Sequence, residues 1–170
     1  MGLEYLANEG IKKALREHEP LNSFIVDTYS KELSYIEGLN LERYEDENDY
    51  ADVPLVGIDP IGERVGDEEE ENEYHLALVL VIQHEKSLFD SYTQKEGDTV
   101  RHRGVFEILK FYRLVKEALK ASSELKCYKL KTIEFEAKPI DSVSNHIEHW
   151  GYIKLTFTDD NKDFCIGGCS

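Results

Sequence analysis

The chain has 170 residues, of which 41% are hydrophobic, and its formal net charge is −15 at pH 7. This length and apolar content suit one globular domain with a substantial core, and they exclude a disordered chain. The surplus of acidic residues disfavours ordinary nucleic-acid binding, and the longest apolar run is too short for a membrane span. Three cysteines are too few for a disulfide framework, so a reducing cytoplasm is the expected compartment.

Residues 1–38 are predicted to be helical. Apolar side chains recur at helical spacing between Ile11 and Leu15, and Pro20 interrupts this pattern. A second helix is predicted to begin at Asn22 or Ser23, either of which can cap it, and to end at Gly38. Its apolar stripe consists of Val26, Tyr29, Leu33 and Ile36.

Residues 42–73 are predicted to be acidic loops that contain one short strand. The segment has fourteen acidic residues against Arg43 and Arg64, so it carries −12 of the net charge. Residues 53–58 interrupt it as a short strand. Pro54 cannot donate to a ladder, which suits either the start of a strand or a strand at the edge of a sheet. Residues 66–72 are predicted to be a solvated hairpin loop that guards the next strand against aggregation. Its acidic residues are Glu68, Glu69, Glu70 and Glu71.

Residues 74–84 are predicted to form the central strand, because apolar side chains occupy both of its faces. Residues 86–100 are polar and are predicted to be a loop. The strongest helix prediction spans residues 101–121. Its main apolar stripe consists of Val105, Ile108, Leu109, Tyr112, Val115 and Leu119, and its second row consists of Phe106, Phe111, Leu114 and Ala118.

The second apolar row of this helix requires a partner. A neighbouring subunit provides one, and the N-terminal helices of the same subunit are the alternative. The helix is also basic within an acidic chain, so its arginines are expected to pair with carboxylates inside the fold or across subunits. We therefore predict a homo-oligomer interface formed by Arg101, Arg103, Phe106, Phe111, Leu114 and Ala118.

Two further strands, at residues 133–137 and 152–158, show clean alternation of apolar and polar side chains, and residues 139–149 are predicted to be a polar connection between them. Residues 160–170 are predicted to be a tail. The order of elements predicts a single α+β domain over residues 1–170. It has a largely antiparallel sheet of about four strands, packed with the N-terminal helices and the long helix.

Catalytic signatures are absent from the sequence: it contains no glycine-rich phosphate loop, nucleophile elbow or helical metal motif. We therefore predict no enzyme activity, no cofactor and no metal. His146 and His149 together with Cys165 and Cys169 are a possible zinc set, but the order and spacing favour surface histidines and a free tail. The acidic segment leaves one alternative open, an inhibitor that mimics DNA to block a nucleic-acid-binding protein.

The succession of elements carries a family resemblance. A helical start is followed by a Pro-Leu-Val strand, an acidic turn, an apolar strand from Tyr74, and a long helix that contains GVFEIL from Gly104. Phe135-Glu136-x-x-Pro139 and the closing segment WGYIKLTF from Trp150 complete the order. Over roughly residues 22 to 160 this resembles the tail terminator (tail completion, head-to-tail joining) proteins of long-tailed bacteriophages, in order and spacing rather than in a rigid signature.

The resemblance implies a structural virion protein of the tail or neck, assembled in the host cytoplasm. It implies that the subunits form a ring, usually a hexamer, that caps the tail tube and joins it to the head connector protein. DNA would pass through the lumen without specific binding, and negative walls would prevent its phosphates from adhering. The closing strand would return beside the central one. The longer acidic region and the cysteine-containing tail depart from the family pattern.

Overall fold

The structure is a computed structural model that describes residues 3–38, 53–64, 72–85, 93–96, 99–123, 125, 129–140 and 146–159. These residues form three helices and seven strands. In chain order they are α1 (Leu3–Glu17), α2 (Glu19–Tyr29), β1 (Ser34–Glu37), β2 (Leu55–Arg64), β3 (Asn72–Glu85), β4 (Thr93–Glu96), β5 (Thr99–His102), α3 (Arg103–Ala121), β6 (Lys129–Ile140) and β7 (His146–Asp159). None of these three helices is both long and apolar enough to cross a membrane.

Five strands form one mixed sheet in the order β1-β2-β3-β7-β6. Every neighbouring pair is antiparallel except β1 and β2, which run parallel. The predicted α+β class is confirmed, with five strands rather than four and one parallel pair. Strand β3 is central, as predicted, and β7 lies beside it, with Leu78 opposite Ile153. The predicted loop at residues 86–100 contains β4 and the start of β5, which pair as a separate hairpin.

The main core lies between the helices and one face of the sheet. Leu76, Leu78, Leu80 and Ile82 of β3 all point to this face, because alternate residues of a strand share a side. They are buried together with residues of α1, α2 and α3. The opposite face of the sheet carries a smaller buried cluster built on Val53, Leu55, Val79, Val81 and Trp150.

The second helix is shorter than the sequence predicted. It ends at Tyr29, followed by Ser30 in the left-handed conformation with φ 54°. Residues 34–37 form β1 instead of a helix end, so the predicted helix to Gly38 is wrong there. Tyr35 packs on the helix-covered face and Ile36 on the opposite face, which is strand alternation. Val26, predicted to be in the buried stripe, is 48% exposed.

Asn22 stabilises the corner between α1 and α2. Asn22 and Ser23 both lie inside α2, whose N-cap is His18, so the prediction that one of them caps this helix is wrong. The side-chain amide of Asn22 instead donates to the carbonyl oxygens of Leu15 at 3.2 Å, Arg16 at 2.8 Å and His18 at 3.1 Å. Leu15 and Arg16 belong to the last turn of α1, and His18 is the residue that joins α1 to α2, so one side chain ties the two helices together.

Strand β1 at the edge of the sheet is held to α1 by charged side chains. Lys12 forms ion pairs with Glu9 of its own helix and with Glu37 of β1 at 2.6 Å. The guanidinium of Arg16 lies 5.0 Å from the centre of the Tyr35 ring, a cation–π contact. The Lys12–Glu37 and Arg16–Tyr35 contacts join residues that are distant in sequence. The local pattern that predicted a helix here therefore contains no sign of them.

Candidate functional site

Helix α3 is the element on which most of the predicted site residues lie. It follows β5 directly and packs against β3, β6, β7, α1 and α2. Ile108, Phe111, Val115 and Leu119 lie within it at a spacing of three or four residues, and all are buried. This spacing places them on one side of the helix, which is therefore the side that faces the core.

The structure separates the predicted interface residues into two groups. Phe111 is 0% exposed and Ala118 is 2% exposed, so the prediction that these two lie at an oligomer interface is wrong. The physical reason is that α1 and α2 cover this side of α3 within one subunit, which was the alternative stated. Leu114 is half-buried and packs against the same core. Arg101 belongs to β5, and its side chain lies outside the described residues.

The outward side of α3 remains accessible. Phe106 is 55% exposed and Val105 is 39% exposed, although both are large apolar side chains. Arg103, Lys110 and Arg113 are exposed on the same helix and lie around Phe106 at helical spacing. We call these five residues the outer face of α3. It combines an apolar centre with a basic surround.

The charge of α3 is opposite to that of the whole chain. The helix contains five basic residues and two glutamates, a net charge of +3, in a chain of −15. Lys110 lies 4.6 Å from the centre of the Phe24 ring of α2. Its ammonium group remains at the surface, so it contributes to a positive field on this side of the subunit.

A cluster of polar side chains, of which Glu107 and His84 are buried, lies at the first turns of α3. Glu107 is 7% exposed, and its Oε2 accepts a hydrogen bond from the hydroxyl of Tyr29 at 3.0 Å. The same oxygen lies 2.8 Å from His84 Nε2, and Oε1 lies 2.5 Å from Arg103 Nε. These four residues, which we call the Glu107 cluster, join the end of α2, the end of β3 and the start of α3.

Opposing influences act on the Glu107 carboxyl. Burial alone raises its pKa, because a low-dielectric environment disfavours the charged form. The hydrogen bond and charge of His84, the hydroxyl of Tyr29 and the charge of Arg103 act in the other direction and outweigh burial. The pKa of Glu107 is therefore lowered from its ordinary value. Glu107 is ionised at neutral pH and supplies the negative charge of the cluster.

His149 completes this region from the neighbouring strand β7. Its ring centre lies 6.2 Å from that of His84, and the residue is 9% exposed. A Cβ at Gly104 would overlap the His149 ring, so glycine is what allows α3 to approach β7 this closely. His149 is thus a buried packing residue under α3, so the prediction that it is a surface histidine is wrong.

Other predicted sites lie outside the described residues. Glu68, Glu69, Glu70 and Glu71, most of residues 42–73, and both Cys165 and Cys169 are in this group. Of the second possible zinc ligand, His146, only the backbone is described. Within the described part of the chain, no three His, Cys, Asp or Glu side chains come together as a metal site.

A second buried glutamate lies on the opposite face of the sheet. Glu148 of β7 is 3% exposed and accepts a hydrogen bond from Trp150 Nε1 at 2.8 Å. The side-chain amide of Gln83 donates to its other oxygen at 3.5 Å. Glu148 is thus similar to Glu107 in burial, but it lies on the side of the sheet away from α3.

Neither protein-family models nor curated proteins give a match to this sequence. The resemblance to tail terminators is therefore a prediction from the order of elements. The site described by the structure is a surface with a buried support: the outer face of α3 above the Glu107 cluster.

Proposed function

We propose that the protein is a structural virion protein, a bacteriophage tail terminator whose subunits associate into a ring. In this proposal the ring caps the tail tube protein, presents a surface to the head connector protein and lets DNA pass through its lumen. The order of sequence segments is the basis for the family. The subunit's single α+β domain, with its closing strand beside the central one, is compatible with it.

The observation that carries the assembly part of this proposal is the outer face of α3. A helix of net charge +3 with Phe106 at 55% exposure is unusual on a subunit of charge −15. Exposed apolar residues surrounded by charged ones are typical of protein interfaces, where the aromatic group anchors and the charges select the partner.

A second copy of the chain is the occupant that the charges favour. Because the basic helix is a minor part of an acidic chain, another copy offers a complementary negative surface. The basic face of one subunit and an acidic surface of the next are different patches, so this contact is head-to-tail. Head-to-tail contacts close into rings when the rotation between subunits permits it.

The proposal is tested by native mass spectrometry and electron microscopy of the purified chain, with a short DNA duplex added in a parallel sample. We expect a closed ring with a central opening that does not retain the duplex. A chain that stays monomeric at its highest soluble concentration, and also when added to tail tubes, would contradict the proposal. A monomer that instead binds a DNA-binding enzyme would support the DNA-mimic alternative.

A further inference from the structure

The outer face of α3 and the Glu107 cluster occupy the same turns of the helix. Phe106 directly precedes Glu107, and Arg103 belongs to both groups. The orientation of Phe106 at the surface therefore depends on how this part of α3 is held from beneath. Three of its supports come from other elements: Tyr29 from α2, His84 from β3 and His149 from β7.

The support beneath α3 is electrostatic as well as steric. Two nitrogen-bearing side chains contact Glu107, namely Arg103 of its own helix and His84 of β3. Tyr29 of α2 donates to it, Lys110 lies over Phe24 of the same helix α2, and His149 of β7 packs beside His84. The start of a helix also carries partial positive charge. Ionised Glu107 is therefore the group that balances several positive ones.

We infer that ionised Glu107 is a positioning residue that holds the first turns of α3 and so presents Phe106 for self-association, an inference that rests on the proposed function. The carboxylate contacts His84 Nε2 at 2.8 Å, Arg103 Nε at 2.5 Å and the Tyr29 hydroxyl at 3.0 Å. Without its charge, Arg103 and the positive end of the helix lose the anion that joins them to α2 and β3. The first turns of α3 would then be held less firmly against those two elements.

Glu107→Gln removes the charge and keeps the shape, so it is the variant that tests this inference. Glu148→Gln is the matched control, because it neutralises another buried glutamate on the other side of the sheet. Hydrogen exchange is measured over residues 103–107, and self-association by sedimentation. Both are measured at pH 7.5, where the wild-type Glu107 carboxyl is ionised, and in strongly acidic solution, where it is protonated.

We expect exchange of residues 103–107 in Glu107→Gln to accelerate at least tenfold over the wild type at pH 7.5, and this difference to shrink in strongly acidic solution. Its association should weaken in parallel at pH 7.5. Glu148→Gln should show neither change. Exchange in Glu107→Gln that matches Glu148→Gln at pH 7.5, or that exceeds the wild type equally in both solutions, would overturn the inference, since a role of shape alone gives no such pH dependence.

Exchange and association separate this inference from the proposed function. If exchange accelerates in Glu107→Gln but the wild type itself never associates, the assembly proposal is refuted and, with it, the role of Glu107 in presenting Phe106. If Glu107→Gln does not fold, Tyr29→Phe removes only the phenolic donor to Glu107. It should accelerate exchange over residues 103–107 by a smaller factor, and unchanged exchange there would overturn the inference.

Discussion

Phe106 and Phe111 lie five residues apart in α3 and have opposite environments: the first is 55% exposed and the second is fully buried. At 100° per residue the two side chains point about 140° apart around the helix. Phe111, Leu114 and Ala118 share a side that α1 and α2 cover, whereas Phe106 points outward. The comparison shows that the second apolar row predicted for α3 has two parts, one buried within the subunit and one exposed at its surface.

The largest expected difference between the two phenylalanines is in stability. Phe111→Ala should lower the free energy of unfolding by about 3–5 kcal/mol, because it opens a cavity in a fully buried site. Phe106→Ala should change it by less than about 0.5 kcal/mol, since its ring is mostly solvated already. Denaturant unfolding of both variants at low protein concentration measures this. Equal losses would show that the two residues share one environment.

Glu107 provides a charged exception among the inward residues of α3. Its carboxyl has a lowered pKa in the folded protein, so its contribution to stability is present above the unfolded value of about 4.3 and is lost as the pH falls through the lower folded value. We expect Glu107→Gln to lower the free energy of unfolding by about 1.5–3 kcal/mol at pH 7, as for hydrogen bonds to a charged group.

The pH dependence of this loss distinguishes the charge from the packing of Glu107. The difference in unfolding free energy between wild type and Glu107→Gln should shrink when the wild-type carboxyl is itself protonated, in strongly acidic solution. Denaturant unfolding at a series of pH values measures this difference. A loss that stays constant down to that pH would mean that the shape of Glu107, rather than its ionised form, supports α3.

Tyr35 is an intermediate case, since its ring is half-buried at the edge of the sheet. Burial raises the pKa of Tyr35 to about 12, although the charge of Arg16 acts in the opposite direction. A phenol that ionises at about 10 when unfolded therefore loses folded-state stability as the pH rises above that value. Tyr35→Phe should remove this alkaline loss, which we expect to be under about 1 kcal/mol near pH 11 after solvent screening. An unchanged alkaline transition would contradict the assignment.

The parts of the fold that the sequence predicted are those with strong local periodicity. Strand β3, the body of α3 and strand β7 each repeat apolar residues at one clear spacing over many positions. The sequence predicts a helix in place of strand β1, because Tyr29, Leu33 and Ile36 also fit helical spacing. Its actual partners, Lys12 and Arg16 of α1, are distant in sequence. The β4–β5 hairpin is polar and short, so it has no apolar pattern to reveal it.

The Glu107 cluster could not be assembled from sequence, because Tyr29, His84 and Glu107 are contributed by three separate elements. One local signal was present. Glu107 falls on the same side of α3 as Gly104, Phe111 and Ala118, where an acidic residue is out of place unless it has partners. The sequence predicted part of the outer face, since Phe106 and Arg103 belong to the predicted interface. It could not separate them from Phe111, because the helices that cover Phe111 are brought there only by the tertiary structure.

The most direct test of the claim that the outer face of α3 is a self-association surface is a sedimentation comparison of matched variants. Phe106→Ser and Ile61→Ser each remove one large apolar side chain of similar exposure, 55% and 52%, from α3 and from β2 respectively. Wild type and Ile61→Ser should sediment as the same oligomer, and Phe106→Ser should sediment as a folded monomer. Undiminished association of Phe106→Ser, or equal loss in both variants, would contradict the account.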